Sequence, residues 1–404
     1  MLLYRLVVGL LACGIVVKLC LRRDWATLSD RLARTGPTDP GARVWMHAAS
    51  NGELTSVKPV LSALLDRGVR LLITVNTQSA RDMAEGWSLP NTDIRLAPLD
   101  LSHVTRRMMR QWSVTGYITV ESDIWPHRFL NCPGPVLLIG ARLTERTARG
   151  WARFPRFAKR VLSRVSYLSA QDSRSLARFR DIGLPHTAVG PVFDLKALYT
   201  PPTLPVPAEL AQHFDRTTTW LAASTHGGED ALLLDAHKRA QADIPDLKLI
   251  LAPRHPKRAD AIIANLQARG LSFARRSRGE TPDGVDVYLV DTLGEMPLWY
   301  QLAGTTFVAG SLTDRGGHTP YEPAAFDSAI IHGSDTGNFS AAYQRLGDAK
   351  AAIEAANAVE IATAVTDLTN PARQKEFAAA ARRALHQDTN LDALMRDICS
   401  RLGA

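Results

Sequence analysis

Short, nearly continuous apolar runs separated by helical patterns constrain this chain more than any other feature. Residues 44–48, 70–75, 94–96, 117–120, 136–139 and 167–170 read as strands, and residues 54–67 read as an amphipathic helix. Strands that are apolar on both faces and spaced by helices build a parallel sheet covered on both sides. At residues 201–207 (PPTLPVP) four prolines in seven positions interrupt the pattern. Proline lacks an N–H and cannot join a regular element, so this stretch reads as a stiff linker. The alternation restarts at residues 220–223, 249–252, 287–290, 307–309 and 329–331, and residues from about 356 to 402 read as helices. The fold class is therefore α/β, with two doubly wound Rossmann-like domains. Residues 22–198 form the first, 199–208 the linker and 209–404 the second. Ligands of such sheets sit beyond the carboxyl ends of the strands, so the expected site is a cleft between the domains.

A chain of 404 residues that is 46% apolar can support two cores, and its formal net charge of +8 favours anionic partners. No RNA-binding signature, zinc-finger spacing or long basic helix is present, which argues against nucleic acid. Basic clusters at residues 106–110 and 275–278 read as solvated faces. Cys13, Cys20, Cys132 and Cys399 are too scattered for a zinc site and too few for a disulfide scaffold, which indicates a reducing compartment.

Residues 6–17 are uninterruptedly apolar between Arg5 and Lys18. That core is shorter than the ~20 residues a bilayer requires. Counted over residues 1–21, with both cations snorkelling, the segment just reaches across; lying in the interface is the other option. Lys18, Arg22 and Arg23 follow it where a signal peptide would have small residues, so it reads as an uncleaved inner-membrane anchor. Positive charge after the segment places the following domains in the cytoplasm.

The residues after the strands carry the chemistry. Ser50, Asn51 and Glu53 follow the first strand. Ser50 and Glu53 have the spacing of a capping box. The same Glu53 is also a carboxylate at a strand mouth, where a helix N-terminus would keep it ionised and able to accept a proton. Glu121 and Asp123 follow the strand at 117–120 and form either a site wall or a helix start with Asp123 as cap. In the second half, Ser224 and Thr225 precede Gly227 and Gly228, and Arg254 and His255 stand between prolines. A guanidinium is planar and always charged, so Arg254 suits phosphate. Gly316 and Gly317 lie in a strand-to-helix loop that reads either as a phosphate-approaching turn or as an ordinary one. Glu322 opens the next helix, within reach of a ribose hydroxyl. No G-x-G-x-x-G opens a helix after a strand, which disfavours hydride transfer. Together these features describe a nucleotide-sugar glycosyltransferase.

The motifs resemble the 3-deoxy-D-manno-octulosonic acid (Kdo) transferases of Gram-negative lipid A biosynthesis. The blocks are HAASNGE (47–53), ESDIWP (121–126), ARLTER (141–146), QDS (171–173) with Arg178 and Phe179, ASTH (223–226), PRHP (253–256), DTLGE (291–295) and GGHTPYEPA (316–324). The resemblance implies a two-domain GT-B glycosyltransferase with a membrane-associated N-terminus. It implies CMP-Kdo as donor substrate, a lipid A precursor of the lipid IVA type as acceptor, and no cofactor or metal. Glu53 matches the family's catalytic base. Ser50, Asn51, Glu121 and Asp123 fall on the acceptor side. Ser224, Thr225, Arg254, His255, Gly316, Gly317, Thr319 and Glu322 fall on the donor side, with Arg254 on the leaving phosphate.

The chain departs from that pattern in several places. Thr319 replaces a usual Asn, and Asp123 a usual Glu. NTQS (76–79) replaces a longer loop, and GPVFD (190–194) lacks the Lys of the usual Gly-Asn-Leu-Lys-Phe-Asp. Two further readings follow from these departures: a divergent paralogue with another acceptor, and a membrane-tethered CMP-sugar-binding protein that has lost turnover.

Overall fold

The computed structural model describes residues 2–198, 204–385 and 391–403. The chain forms two compact units, Met1–Leu198 with Thr389–Ala404, and Tyr199–Asp388.

In the first unit six strands run parallel: β1 (Arg43–His47), β2 (Leu71–Val75), β3 (Thr92–Leu96), β4 (Val114–Val120), β5 (Val136–Ala141) and β6 (Val165–Ala170). Their order is β3-β2-β1-β4-β5-β6. β1, β2 and β5 are buried along their whole length, which is why they read as nearly continuous apolar runs. Successive residues feed opposite faces. Val44 and Met46 join Leu54, Val57 and Leu61 of the helix Asn51–Leu65 on one side. Trp45 and Tyr117 join Trp112 and Phe129 on the other. Each such side chain contributes about 1.5–3 kcal/mol on burial. Strand order reverses between β1 and β4, and crevices form at such switch points.

The last helix, Leu391–Leu402, belongs to this unit. Its Leu394, Met395, Ile398 and Cys399 enter the core beside Leu61 and Leu64, and Tyr167 donates to Asp397 Oδ2 at 3.2 Å. The second domain therefore stops short of the assignment to residues 209–404. An apolar stripe specifies that a helix is buried, not which sheet it is buried on.

The second unit carries seven parallel strands: β7 (Thr219–Thr225), β8 (Lys248–Pro253), β9 (Phe273–Arg275), β10 (Val287–Leu289), β11 (Thr305–Val308), β12 (Ala329–His332) and β13 (Ala352–Glu354). The order is β13-β12-β11-β7-β8-β10-β9, with reversal at β7 and β11. The apolar pattern does not predict β9 and β13. They are three-residue edge strands ending in Arg275 and Glu354, without an apolar run to announce them. Residues 204–207 of the linker have no regular structure before the helix Ala208–Ala211. Linker residues 199–203 lie outside the described residues.

The N-terminal segment is one helix, Leu2–Leu21, long and apolar enough to cross a membrane by length and composition. Leu2, Leu3, Leu6, Leu10 and Leu11 are exposed on it. Tyr4 faces inward, donating to Asp100 Oδ2 at 2.5 Å and packing its ring on His127 and Phe157.

Candidate functional site

At the switch point of the first sheet, Ser50 caps the helix Asn51–Leu65, accepting the Glu53 N–H at 3.3 Å. The Glu53 carboxyl does not return to the cap residue's own N–H, as a capping box would have it. Oε2 accepts the N–H of Ala49 at 2.7 Å. Capping and a carboxyl at the strand mouth are thus both realised. Burial, together with the like charges of Glu121 and Asp123, pushes Glu53 up to about 8, against the opposing pull of the Ala49 N–H and Lys196. The expectation that the helix terminus keeps it ionised is corrected: one N–H bond does not offset desolvation beside two carboxylates.

Glu121 ends β4 in the left-handed region, φ 54°, which a residue with a Cβ seldom occupies. Its N–H is bonded to Ile139 O and its carbonyl to the Arg142 N–H. Its carboxylate lies 2.7 Å from Lys196 Nζ. Asp123 does not cap a helix, since the next one, Pro126–Asn131, is preceded by Trp125 with no side-chain cap. Instead Asp123 Oδ2 accepts from His47 Nε2 at 2.8 Å and from Trp125 Nε1 at 3.1 Å. Burial and the Arg128 guanidinium drive His47 down to about 4, so it is a neutral donor. Burial opposes ionisation of Asp123, but the bonds from His47 and Trp125 hold it below the usual carboxylate range. Ser50 is exposed. The Asn51 amide oxygen accepts from Ser79 Oγ at 3.4 Å; Ser79 is in the first turn of the helix Gln78–Gly86, so only Asn76 and Thr77 of the expected 76–79 loop lie outside a helix.

In the second unit a cavity of about 290 Å³ opens at the ends of β7 and β8, and Ser224, Arg254, Tyr300, His318, Thr319 and Glu322 line it. Ser224 stands at φ 62°. The Arg254 backbone N–H is tied to Thr225 O at 3.0 Å, while its exposed guanidinium makes no ion pair among the described residues. Glu322 accepts from Tyr300 Oη at 3.2 Å. Burial raises its pKa although Tyr300 and Arg254 pull the other way. His318 Nε2 meets His226 Nε2 at 2.9 Å. Burial, then the neighbouring His226 and Arg254, pushes His318 down to about 4, so it is neutral.

Three expectations on this side change. The Thr225 hydroxyl donates to Asp230 Oδ1 at 2.7 Å, and Asp230 pairs with Arg258, so Thr225 is a buried structural residue. His255 is exposed beside His226 and does not line the cavity. Gly316 and Gly317 do not offer free N–H groups: Gly316 N donates to Asp335 Oδ2 at 2.6 Å and Gly317 N to Gly310 O at 2.8 Å. Both have positive φ, and a Cβ on Gly317 would lie 2.9 Å from Asp335 O. They are glycines because the loop folds tightly on itself.

Sequence reasoning passes over Glu229. Wholly buried at the start of the helix Glu229–Gln241, it accepts from His226 N, Gly310 N and Leu312 N at 2.8, 2.9 and 3.1 Å, fastening the loops after β7 and β11 together. It gives no role to His47, Tyr300 or Lys196 either. A strand-end His and an acid following Gly-Gly are faint signals without knowledge of what they face.

The first unit thus presents a carboxyl of raised pKa at a switch point. The second presents a cavity with one permanent cation and a hydroxyl-compatible carboxyl, which suits a nucleotide monophosphate group and its ribose. Residues 26–198 match the family described as 3-deoxy-D-manno-octulosonic-acid transferase (kdotransferase). A 3-deoxy-D-manno-octulosonic acid transferase of Bordetella pertussis is 32% identical over 369 residues, covering 87% of this chain and 86% of that protein. One from Haemophilus influenzae is 30% identical over 352 residues, covering 83% and 81%. The crystal structure of a UDP-GlcNAc 2-epimerase from Neisseria meningitidis, bound to UDP-GlcNAc, has the same fold. Its TM-score is 0.59 at 12% identity, over 88% of this chain and all of that one.

Proposed function

This chain belongs to the 3-deoxy-D-manno-octulosonic acid (Kdo) transferase family, and on that premise we infer how its residues carry out Kdo transfer in lipopolysaccharide biosynthesis. The donor is CMP-Kdo and the acceptor a lipid A precursor of the lipid IVA type. Glu53 removes the proton from the acceptor hydroxyl as its oxygen attacks the anomeric carbon from the face opposite CMP. The bond from that carbon to the phosphate oxygen breaks, and the configuration inverts. A base with a pKa near 8 is strong enough to assist a weakly acidic hydroxyl and is still ionised in useful amount near neutral pH. Arg254 stabilises the charge that develops on the departing CMP phosphate. Glu322, oriented by Tyr300, accepts a hydrogen bond from the ribose, and Ser224 and Thr319 complete the donor cavity. Glu121 and Asp123 form the wall on the acceptor side. No step needs a metal, and EDTA is expected to leave the rate unchanged.

The observation that carries this reading is the half-buried carboxyl of Glu53 in the helix that follows β1, raised in pKa by its surroundings. The exposed leucines of the helix Leu2–Leu21, with Lys18 in its last turn and Arg22 and Arg23 following, support anchorage at the cytoplasmic face of the inner membrane.

The test uses detergent-solubilised protein with CMP-Kdo and a tetraacylated lipid A precursor, with the lipid weighed by mass spectrometry. Gain of one or more Kdo units, absent with Glu53→Ala, is the expected result. An unshifted lipid with CMP still bound would favour a second reading, transfer to another acceptor. One observation supports that alternative: the altered 76–79 stretch touches Asn51 through Ser79, in the first turn of the helix Gln78–Gly86.

A further inference from the structure

The strongest unassigned feature of the first unit is a cation placed among its carboxyl groups. Lys196 Nζ lies 2.7 Å from Glu121 Oε1, with the two side chains only 19% and 14% exposed. Both partners are held from their backbones. Lys196 sits on a single 3-10 turn, Leu195–Leu198. Its N–H donates to Asp194 Oδ1 at 3.0 Å, and the Ala197 N–H bonds Asp194 O. Leu195 is buried against Gly140, where a Cβ would lie 2.8 Å from Leu195 Cδ1, so that glycine lets the turn approach the end of β5. Glu121, on the other side, is fixed in its left-handed conformation by bonds at both its N–H and its carbonyl. A lysine on a freely moving surface turn would not be seated this way.

We propose that Lys196 is a positioning residue of the transfer site: by pairing with Glu121 it holds that carboxylate and offsets its charge beside Glu53, leaving Glu53 able to ionise. The inference rests on Glu53 being the base. The charged groups acting on Glu53 are Glu121 and Asp123 at the end of β4 and Lys196 from the turn, with the Ala49 N–H as its hydrogen-bond donor. Asp123 is held ionised by its own partners, His47, Trp125 and the nearby Arg128, and does not compete for the ammonium's pairing with Glu121. Glu121 is answered by Lys196. Without the ammonium, an unpaired Glu121 repels the ionised form of Glu53 and its proton is held to higher pH.

Two readouts of the same titration test this, one of which needs no catalysis. The pH dependence of the difference in melting temperature between each background and its Glu53→Gln partner reports the ionisation of Glu53 whether or not sugar is transferred. The pH profile of kcat/KM reports it in turnover. Relative to the unsubstituted protein, Lys196→Met is expected to move both midpoints up by about one pH unit, a roughly tenfold loss of kcat/KM at pH 7. Lys196→Arg is expected to restore the original midpoint. If the lone buried carboxylate prevents Lys196→Met from folding, the Lys196→Met/Glu121→Gln pair is compared with Glu121→Gln alone. Loss of the ammonium is again expected to raise the midpoint. Unchanged midpoints in these comparisons, with only a uniform drop in melting temperature, would overturn the proposal. A shifted melting midpoint without Kdo transfer would sustain the electrostatic role and instead count against Glu53 as the base.

Discussion

The carboxyl of Glu53 closes on the backbone N–H of Ala49 at 2.7 Å, one residue before the position a capping box would use. This contact holds the carboxyl where the charges of Glu121, Asp123 and Lys196 act on it. Transfer activity should therefore rise with pH toward a midpoint near 8. Glu53→Gln should lower kcat by about 10²–10⁴ and flatten that limb. A pH profile of initial rates checks both.

The same shift predicts a pH-dependent stability. The folded pKa of Glu53 lies above its ordinary value, so folding favours the protonated form. That contribution is complete below about pH 4.5 and is lost as pH rises through about 8. In thermal melts the Glu53→Gln variant should match the parent near pH 5 and exceed it near pH 9, on the two sides of that window. The gap follows about 1.4 kcal/mol per pKa unit.

Asp123 accepts from His47, wholly buried, and from Trp125. Asp123→Ala leaves a buried imidazole N–H and an indole N–H without an acceptor. The expected cost is about 1–3 kcal/mol, measured by denaturant unfolding. Asp123→Asn, which keeps one acceptor oxygen, should cost less.

At φ 70° and with Asp335 O beside it, Gly317 has no room for a side chain. Gly317→Ala is expected to destabilise the protein by about 1–3 kcal/mol in thermal unfolding. Its N–H already serves Gly310 O, so the loss should appear in stability rather than as a selective loss of CMP affinity.

Leu6 and Leu10 lie on the exposed side of the N-terminal helix. Replacing both with Asp should move the protein from the floating to the soluble fraction in vesicle flotation, since each leucine contributes about 1.5–3 kcal/mol when buried in lipid. Tyr4 bonds the other side of the helix to Asp100, so the fold of the first unit should survive the change.

Much of this site is legible in the sequence because it depends on position along strands. An apolar run followed by polar residues marks a strand end, and strand ends in a parallel sheet share one edge. Glu53, Glu121, Ser224, Arg254 and Glu322 all follow such runs or open the helix after one, and the cavity and the switch point contain them. The alternation also determined the two doubly wound sheets and their longer or more apolar strands, because periodic burial acts over a few residues and needs no knowledge of the rest of the chain. Tertiary structure decided the partners. It tied Gly316 to Asp335 and Gly310 to Glu229, and joined the last helix to the first unit. It also brought Lys196 to Glu121 and His47 to Asp123. Hydrogen bonds and ion pairs are made by groups adjacent in space, and residues distant in the chain become adjacent only when the sheet closes. The ionisation of Glu53 therefore belongs to the fold rather than to the sequence around it.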